Sequence, residues 1–291
     1  MMPAVISLSE AGAPLARAIA EALRGSTVFL HETVSSRHAG VRFQRIFDLV
    51  SELYEETDGM IFIGPCGVAV RALAPHLRSK LVDPPVVVVD VGGRYAISLL
   101  SGHEGGANDL AVIVGNVLGA EPVVTTTTEA AKTILVGIGC RRGCTAGAIV
   151  EAVRFVLDKA GIDLNRVRYL ASADVKAGEA GLIQAAQELG VPLRIIPSEE
   201  IRACTRDFSC SPLAQEKVNL PAVAEPAALL AGRRTTLIHP KTVHNHVAVA
   251  IAKEGCLSSE SAREERPTGR IAQRRRSRKA ISSSATSGTF G

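Results

Sequence analysis

Tryptophan is absent, and the 291 residues include only three tyrosines and seven phenylalanines. Proteins that bind single-stranded nucleic acid stack bases on such rings, so the shortage argues against that class. Long apolar runs are missing too. None approaches the roughly 18 residues of a membrane-spanning helix, and the richest stretch, Pro85 to Val91, is interrupted by Asp90. The opening MMPAVISLSEAG has no basic segment leading into an apolar one, so no secretory leader is expected and the location implied is cytoplasmic. No Cys-x-x-Cys pair occurs among Cys66, Cys140, Cys144, Cys204, Cys210 and Cys256, which suits reduced thiols. Cys140 and Cys144 lack the second pair that a closed zinc site needs, so no metal site is expected.

Excess charge is confined to one end. The chain carries 33 Lys/Arg and 29 Asp/Glu, and from Ser258 onward eight are basic and three acidic. The preceding residues are therefore almost neutral, which speaks against a nucleic-acid-binding body. The tail, with the run Arg274 to Lys279, has little apolar patterning and is expected to be disordered. It is the sole feature that would suit a polyanion. The rest, with 46% hydrophobic and 21% charged residues overall, has the composition of a globular protein.

Short β-rich runs alternate with amphipathic segments. Strands are expected at Ala4–Leu8, Thr27–Leu30, Gly59–Ile63, Val86–Asp90, Tyr95–Leu99 and Pro122–Thr125, with a hairpin turn at Gly92–Gly93. Helices are expected at Ala13–Arg24, Val41–Glu56, Val68–Leu77 and Gly106–Leu118. The small, polar stretch Thr125–Lys132 reads as a boundary. The pattern then restarts with strands at Ile134–Ile138, Val167–Ala171, Leu193–Ile196, Thr236–Ile238 and His246–Ala252. Helices fall at Thr145–Ala160, Gly181–Leu189, from an N-cap at Ser198, and at Glu225–Ala231, where Glu225 and Pro226 suit a helix start. Residues Phe208–Pro221 read as an irregular loop. The fold class expected is α/β: two domains (1–131 and 132–257), each a mostly parallel sheet flanked by helices, then a disordered basic tail from 258 to 291.

Three segments carry candidate chemistry. In Leu99–Asp109 (LLSGHEGGAND) a strand gives way to a helix. His103 is placed to move protons near neutral pH, and Glu104 to orient it or to act as a base. Ser101, Gly102, Gly105, Gly106 and Asn108 would shape a turn that admits a ligand, with helix N–H groups facing an anion. The bland alternative makes Ser101 an N-cap and His103 a turn residue. In Val136–Thr145 (VGIGCRRGCT) the glycines fall one position out of step with a dinucleotide fingerprint. Arg141 and Arg142, after Gly139, suit carboxylates better. Their alternative is a tight turn only. In Asp174–Leu182 (DVKAGEAGL), Asp174, Lys176 and Glu179 follow a strand end; Lys176 fits a substrate carboxylate or, with a lowered pKa, a Schiff base, and the alternative is a solvated turn with an ordinary ion pair. His239, His244 and His246 cluster, the latter two on one strand face if the strand includes both. Their neighbours Pro240, Lys241 and Asn245 read as a surface loop.

In order, these segments resemble the CbiG family, the cobalt-precorrin-5A hydrolases of anaerobic cobalamin synthesis. The resemblance rests on Ile61–Ala74 (IFIGPCGVAVRALA), Lys80–Asp90 (KLVDPPVVVVD), Ser98–Asn108 (SLLSGHEGGAN) and Pro122–Thr127 (PVVTTT). It continues through Val136–Gly143, Asp174–Leu182, Phe208–Ser211 (FSCS), Val223–Ala231 (VAEPAALLA), Pro240–Lys241 and Val247–Ala252, and spans roughly residues 3–254. It implies an enzyme that opens a ring-A δ-lactone and releases acetaldehyde, giving cobalt-precorrin-5B. Cobalt would arrive with the tetrapyrrole, and no resident cofactor is implied. In that reading His103 is the general base and Glu104 its partner or alternate. N–H groups around Gly105–Gly106 would meet the oxyanion, and Arg141, Arg142 and Lys176 the peripheral carboxylates. Transient contact with other cobalamin-pathway enzymes is compatible with it. Many members carry a middle domain, for which Thr125–Lys132 leaves no room, and the basic tail matches nothing in the family. A non-catalytic escort for corrinoid intermediates is the alternative.

Overall fold

A computed structural model describes residues 2–255; the tail expected from Ser258 lies outside the described residues. Residues up to Gly255 form one compact unit built on two sheets.

The first half runs β1 (Ala4–Ser7), α1 (Ala13–Ala22), β2 (Thr27–His31), β3 (Val41–Phe43), α2 (Ile46–Leu53), β4 (Met60–Ile63), α3 (Cys66–Leu73), β5 (Val86–Val89), β6 (Tyr95–Leu100), α4 (Ala107–Leu118), β7 (Glu121–Val123) and α5 (Thr127–Ala130). Its seven-stranded sheet has the order β3-β2-β1-β4-β5-β6-β7. The central strands AVIS, MIFI and VVVV are buried at every position. Such unbroken apolar runs mark strands covered on both faces. On one face Ala16 and Ile19 of α1 and Leu110 and Ala111 of α4 pack on Val5, Ile61 and Val87. On the other, Leu49 and Val50 of α2 and Ala69 and Leu73 of α3 pack on Ile6, Phe62 and Val88.

Strand β6 reverses direction. It pairs antiparallel with β5, Val86 opposite Leu100, whereas β1 to β5 are parallel and β7 follows β6. The loop after β6 therefore emerges where β4 and β5 begin, not where they end.

The second half runs β8 (Ile134–Gly139), α6 (Ala146–Ala160), β9 (Val167–Ala173), α7 (Ala180–Leu189), β10 (Leu193–Ile196), α8 (Ser198–Ala203), α9 (Pro212–Val218), α10 (Ala224–Leu230), β11 (Thr235–His244) and β12 (Val247–Glu254). The order is β10-β9-β8-β12-β11. Helices α6 and α7 cover one face and α8 and α10 the other. Gly137 lets α10 lie directly on β8: a Cβ there would sit 1.8 Å from the Ala224 carbonyl oxygen. The halves are joined at a sheet edge. Asn116 of α4 donates from Nδ2 to the Leu193 carbonyl (2.7 Å) and accepts the Ile195 N–H at Oδ1 (2.9 Å). It thereby satisfies an edge strand as a neighbouring strand would.

Several expectations are corrected. The second sheet is evenly mixed, since only the β10-β9-β8 pairings are parallel and the β11–β12 hairpin joins antiparallel. Val41–Phe43 is a strand that pairs with β2 and buries Phe43; the helical period starts only at Ile46. Pro197, not Ser198, precedes α8, and Ser198 donates its hydroxyl to the Asp174 carboxylate instead. The supposed loop Phe208–Pro221 contains α9. Its start, Ser211–Pro212, follows the usual grammar: the Ser211 hydroxyl accepts the Ala214 N–H and proline takes the first turn.

Candidate functional site

The loop from Ser101 to Asn108 is closed on itself. Ser101 adopts a left-handed backbone (φ 54°) and donates its buried hydroxyl to the Asp83 carbonyl at 2.7 Å. Its own carbonyl accepts the N–H groups of Gly105 (3.1 Å) and Ala107 (3.2 Å), and the Gly102 carbonyl accepts that of Asn108 (3.0 Å). A Cβ on Gly105 would fall 2.5 Å from Ser101 Cβ, so the knot requires glycine there. Two of the donors expected to meet an anion at the start of α4, the Ala107 and Asn108 N–H groups, are thus spent inside the loop, as is the Gly105 half of the expected oxyanion pair. The N-cap of α4 is Gly106, not Ser101. Buried Asn108 accepts the Ser98 hydroxyl at Oδ1 (2.8 Å) and donates from Nδ2 to Thr126 Oγ1 (3.0 Å), tying β6, α4 and the segment after β7 together.

The two proposed catalytic side chains part company. Glu104 pairs with Lys80 Nζ at 2.5 Å, and that ammonium holds its carboxyl below the ordinary range. It does not orient His103. His103 is exposed and makes no side-chain hydrogen bond to a described residue. It borders a cleft of about 170 Å³ between the halves, shared with Asp109, Glu129 and Lys132 and closed on the far side by Tyr169 and Pro192. Lys132 Nζ meets Glu129 Oε1 at 2.8 Å. Burial first, then the Glu129 carboxylate, push Asp109 up; Lys132 and His103 oppose this more weakly. Val124 and Tyr169 also border a wider cleft of about 790 Å³, whose walls carry Arg94, Arg168, Arg194 and Arg233 together with Glu121, Glu200 and Glu254.

The second and third segments do meet. Glu179 Oε1 accepts the Gly143 N–H at 2.7 Å, and Glu179 Oε2 lies 3.4 Å from Lys176 Nζ. Arg141 and Arg142, after Gly139, are exposed and form no ion pair among the described residues. Burial pushes the Cys140 thiol up to about 11 and raises Cys144. The carboxylate of Glu225, 2% exposed, accepts the N–H groups of Ser209 (2.5 Å) and Lys241 (2.7 Å), fixing two more segments beside α10.

This second group follows the carboxyl ends of β8 and β9, whereas the His103 cleft is closed by Tyr169 near the start of β9 and by Pro192, which precedes β10. The stretch of β9 from Tyr169 to Ala173, roughly 13 Å, intervenes. The expected cooperation of His103 with Arg141, Arg142 and Lys176 around one ligand is therefore not what the fold brings together. The histidine trio also disperses. His244 stacks on Phe155 (4.3 Å between centroids) and meets Glu151, His239 meets Thr242, and His246 sits in the hairpin turn with φ 64°. Among the described residues no group of three or more His, Cys, Asp or Glu is placed to hold a metal ion. No described helix is long and apolar enough to cross a membrane.

Asp109, Glu129, Lys132 and the four cleft arginines were not singled out by sequence. Asp109 closes the LLSGHEGGAND segment, and Glu129 and Lys132 lie in the stretch that reads as a boundary.

Fold and cleft define a two-lobed α/β protein with an arginine-rich, mixed-charge groove between its lobes. Residues 48–129 match the family described as "Cobalamin synthesis G N-terminal" and residues 134–252 "Cobalamin synthesis G C-terminus". A cobalt-precorrin-5A hydrolase of Salmonella typhimurium is 27% identical over 263 residues, 59% of this chain and 75% of that protein. One of Priestia megaterium is 35% identical over 144 residues, 48% of this chain but only 38% of that longer protein. Protein CobE of a Sinorhizobium species is 32% identical over 136 residues, 46% of this chain and 88% of CobE. The chain belongs to the CbiG family of cobalamin synthesis.

Proposed function

We propose that this chain is a cobalt-precorrin-5A hydrolase that opens the ring-A lactone of its substrate and expels acetaldehyde. The observation that carries the reading is similarity to named hydrolases through both halves, together with a cleft where the halves meet that holds an uncommitted imidazole. His103 takes a proton from water as the water adds to the lactone carbonyl. The acyl C–O bond breaks, leaving a carboxylate and an alcohol. The alcohol then loses its proton, and the C–C bond to the macrocycle breaks as the aldehyde C=O forms. The bonding pair passes into the conjugated ring, which takes up a proton. Asp109, raised by burial and by Glu129, keeps a proton to higher pH than an ordinary aspartate and is placed to supply it. Lys132 offers positive charge to the oxyanion in place of the Gly105 N–H, which the loop itself uses. Cobalt belongs to the substrate, and no resident cofactor enters this scheme. The setting is the cytoplasm, where contact with enzymes that make or consume such tetrapyrroles is transient.

The test is anaerobic incubation of the purified chain with cobalt-precorrin-5A and chemical trapping of acetaldehyde. Protein-dependent release supports the hydrolase; tight binding without release would instead favour the escort.

A further inference from the structure

Arg194 is a buried guanidinium without an ion pair among the described residues. It is 8% exposed, donates one hydrogen bond, from Nη1 to the Ala120 carbonyl (2.8 Å), and pairs with no carboxylate among the described residues. Burial depresses its proton affinity, and Tyr169, Glu200 and Glu121 offset this only in part. A buried cation is costly until paired, and most of a guanidinium's five N–H donors are unused here. The side chain borders the cleft of about 790 Å³ between the halves.

The surroundings narrow the ligand. Arg168 bonds Glu254 through Nη1 (2.5 Å), while its buried Nε has no acceptor. Arg233 reaches Glu121 at 2.8 Å from the rim. Arg168 lies over the Tyr169 ring at 5.1 Å and Arg94 over Tyr95 at 5.7 Å. Cations backed by aromatic faces suit a flat ligand edged with carboxylates.

We propose that this cleft, and not the Arg141–Arg142 edge, seats the carboxylate-edged rim of a tetrapyrrole, with Arg194 gripping one carboxylate and Arg168 and Arg233 flanking it. The macrocycle rests on the corrinoid reading above; the demand for an anion rests on Arg194 itself. Because Val124 and Tyr169 border both clefts, a ligand held here extends toward His103.

Two of the three tyrosines border the cleft and the chain has no tryptophan, so quenching of tyrosine fluorescence reports its occupancy. The probes are the cobalt corrinoid cobyrinic acid, its fully methyl-esterified form, and citrate. Cobyrinic acid is expected to bind the full chain. Arg194→Met should weaken it at least tenfold and Arg233→Gln about threefold, with the ester insensitive to both. An Arg141→Gln/Arg142→Gln double variant should bind like the parent. Unchanged affinity in Arg194→Met, or loss in the Arg141/Arg142 variant, would overturn the proposal. Tighter binding of citrate than of cobyrinic acid would reduce the cleft to a small-acid site and overturn it as well. If Arg194→Met does not fold, Arg168→Gln/Arg233→Gln decides, weaker binding supporting and unchanged binding contradicting. Turnover of cobalt-precorrin-5A with unaltered KM in these variants would sink the cleft while leaving the hydrolase intact; Arg194-dependent binding without acetaldehyde would do the reverse.

Discussion

Glu179 Oε1 accepts the backbone N–H of Gly143 at 2.7 Å, bridging residues 36 positions apart. This one carboxylate stitches the loop after β8 to the loop after β9 and also faces Lys176. Its side chain is 12% exposed, so the bond is largely shielded from water. Glu179→Ala removes the acceptor and strands Lys176. The expected cost is about 2 kcal/mol, read as a thermal midpoint lower by roughly 5 °C. Glu179→Gln, which keeps an acceptor, should lose less. Equal losses would mean that charge, not the bond to Gly143, holds the loops.

Asn116 performs the matching task between the halves, satisfying both the Leu193 carbonyl and the Ile195 N–H. Asn116→Leu leaves both without partners at a cost of roughly 2 kcal/mol. Hydrogen exchange at the Ile195 amide should accelerate by an order of magnitude or more while amides of β4 and β5 hold. Uniform acceleration everywhere would show that this edge does not open on its own.

Asp109 links stability to pH with a definite sign. Its folded-state pKa is raised, so partial desolvation and the neighbouring Glu129 cost nothing below the unfolded value near 3.9 and become unfavourable as pH rises through the folded value. Asp109→Asn should therefore unfold at a higher temperature than the parent at pH 7, the gap closing as pH falls toward about 4. Its turnover should fall if the carboxyl is the proton donor. A variant less stable than the parent at pH 7 would contradict the assignment of Asp109 as an acid whose carboxyl is raised by partial desolvation and by Glu129.

Cysteine reactivity should separate by environment. The Cys140 thiol, pushed up to about 11 by burial, is almost wholly protonated at pH 8. Iodoacetamide should therefore label exposed Cys210 first and leave Cys140 slower by on the order of a hundredfold, read peptide by peptide by mass spectrometry. Rapid labelling of Cys140 would show a thiolate there and reopen a nucleophilic role for it.

Much of the fold is legible in local pattern. Ile61–Ile63 and Val86–Val89 read as buried strands because β-branched runs framed by glycine and proline have few other uses. The β5–β6 hairpin follows from Gly92–Gly93, with Gly93 at φ 66°. What local pattern does not carry is direction. Because β6 runs opposite to β5, the SGHEGG loop lies at the edge away from the carboxyl ends of the parallel strands, and the rule that ligands gather at those ends misplaces it. Nor does local pattern reveal partners far along the chain. Nothing in Ser101–Asn108 says that its N–H groups close on its own carbonyls, that Lys80 captures Glu104, or that Arg194 is buried beside Ala120. Sequence offers Arg141–Arg142 as a pair because the two are adjacent. The cleft arginines come from four separate stretches and only the tertiary fold assembles them.

The central claim is that His103, at the cleft between the halves, drives acetaldehyde release. Its most direct test measures trapped acetaldehyde per cobalt-precorrin-5A consumed, under strict anaerobiosis, for the parent chain and for His103→Ala with its unfolding midpoint checked alongside. The prediction is one equivalent of acetaldehyde from the parent and a rate lower by about 10²–10⁴ in a variant that folds normally. Undiminished release by His103→Ala, or none from a folded parent chain that binds the substrate, would contradict it.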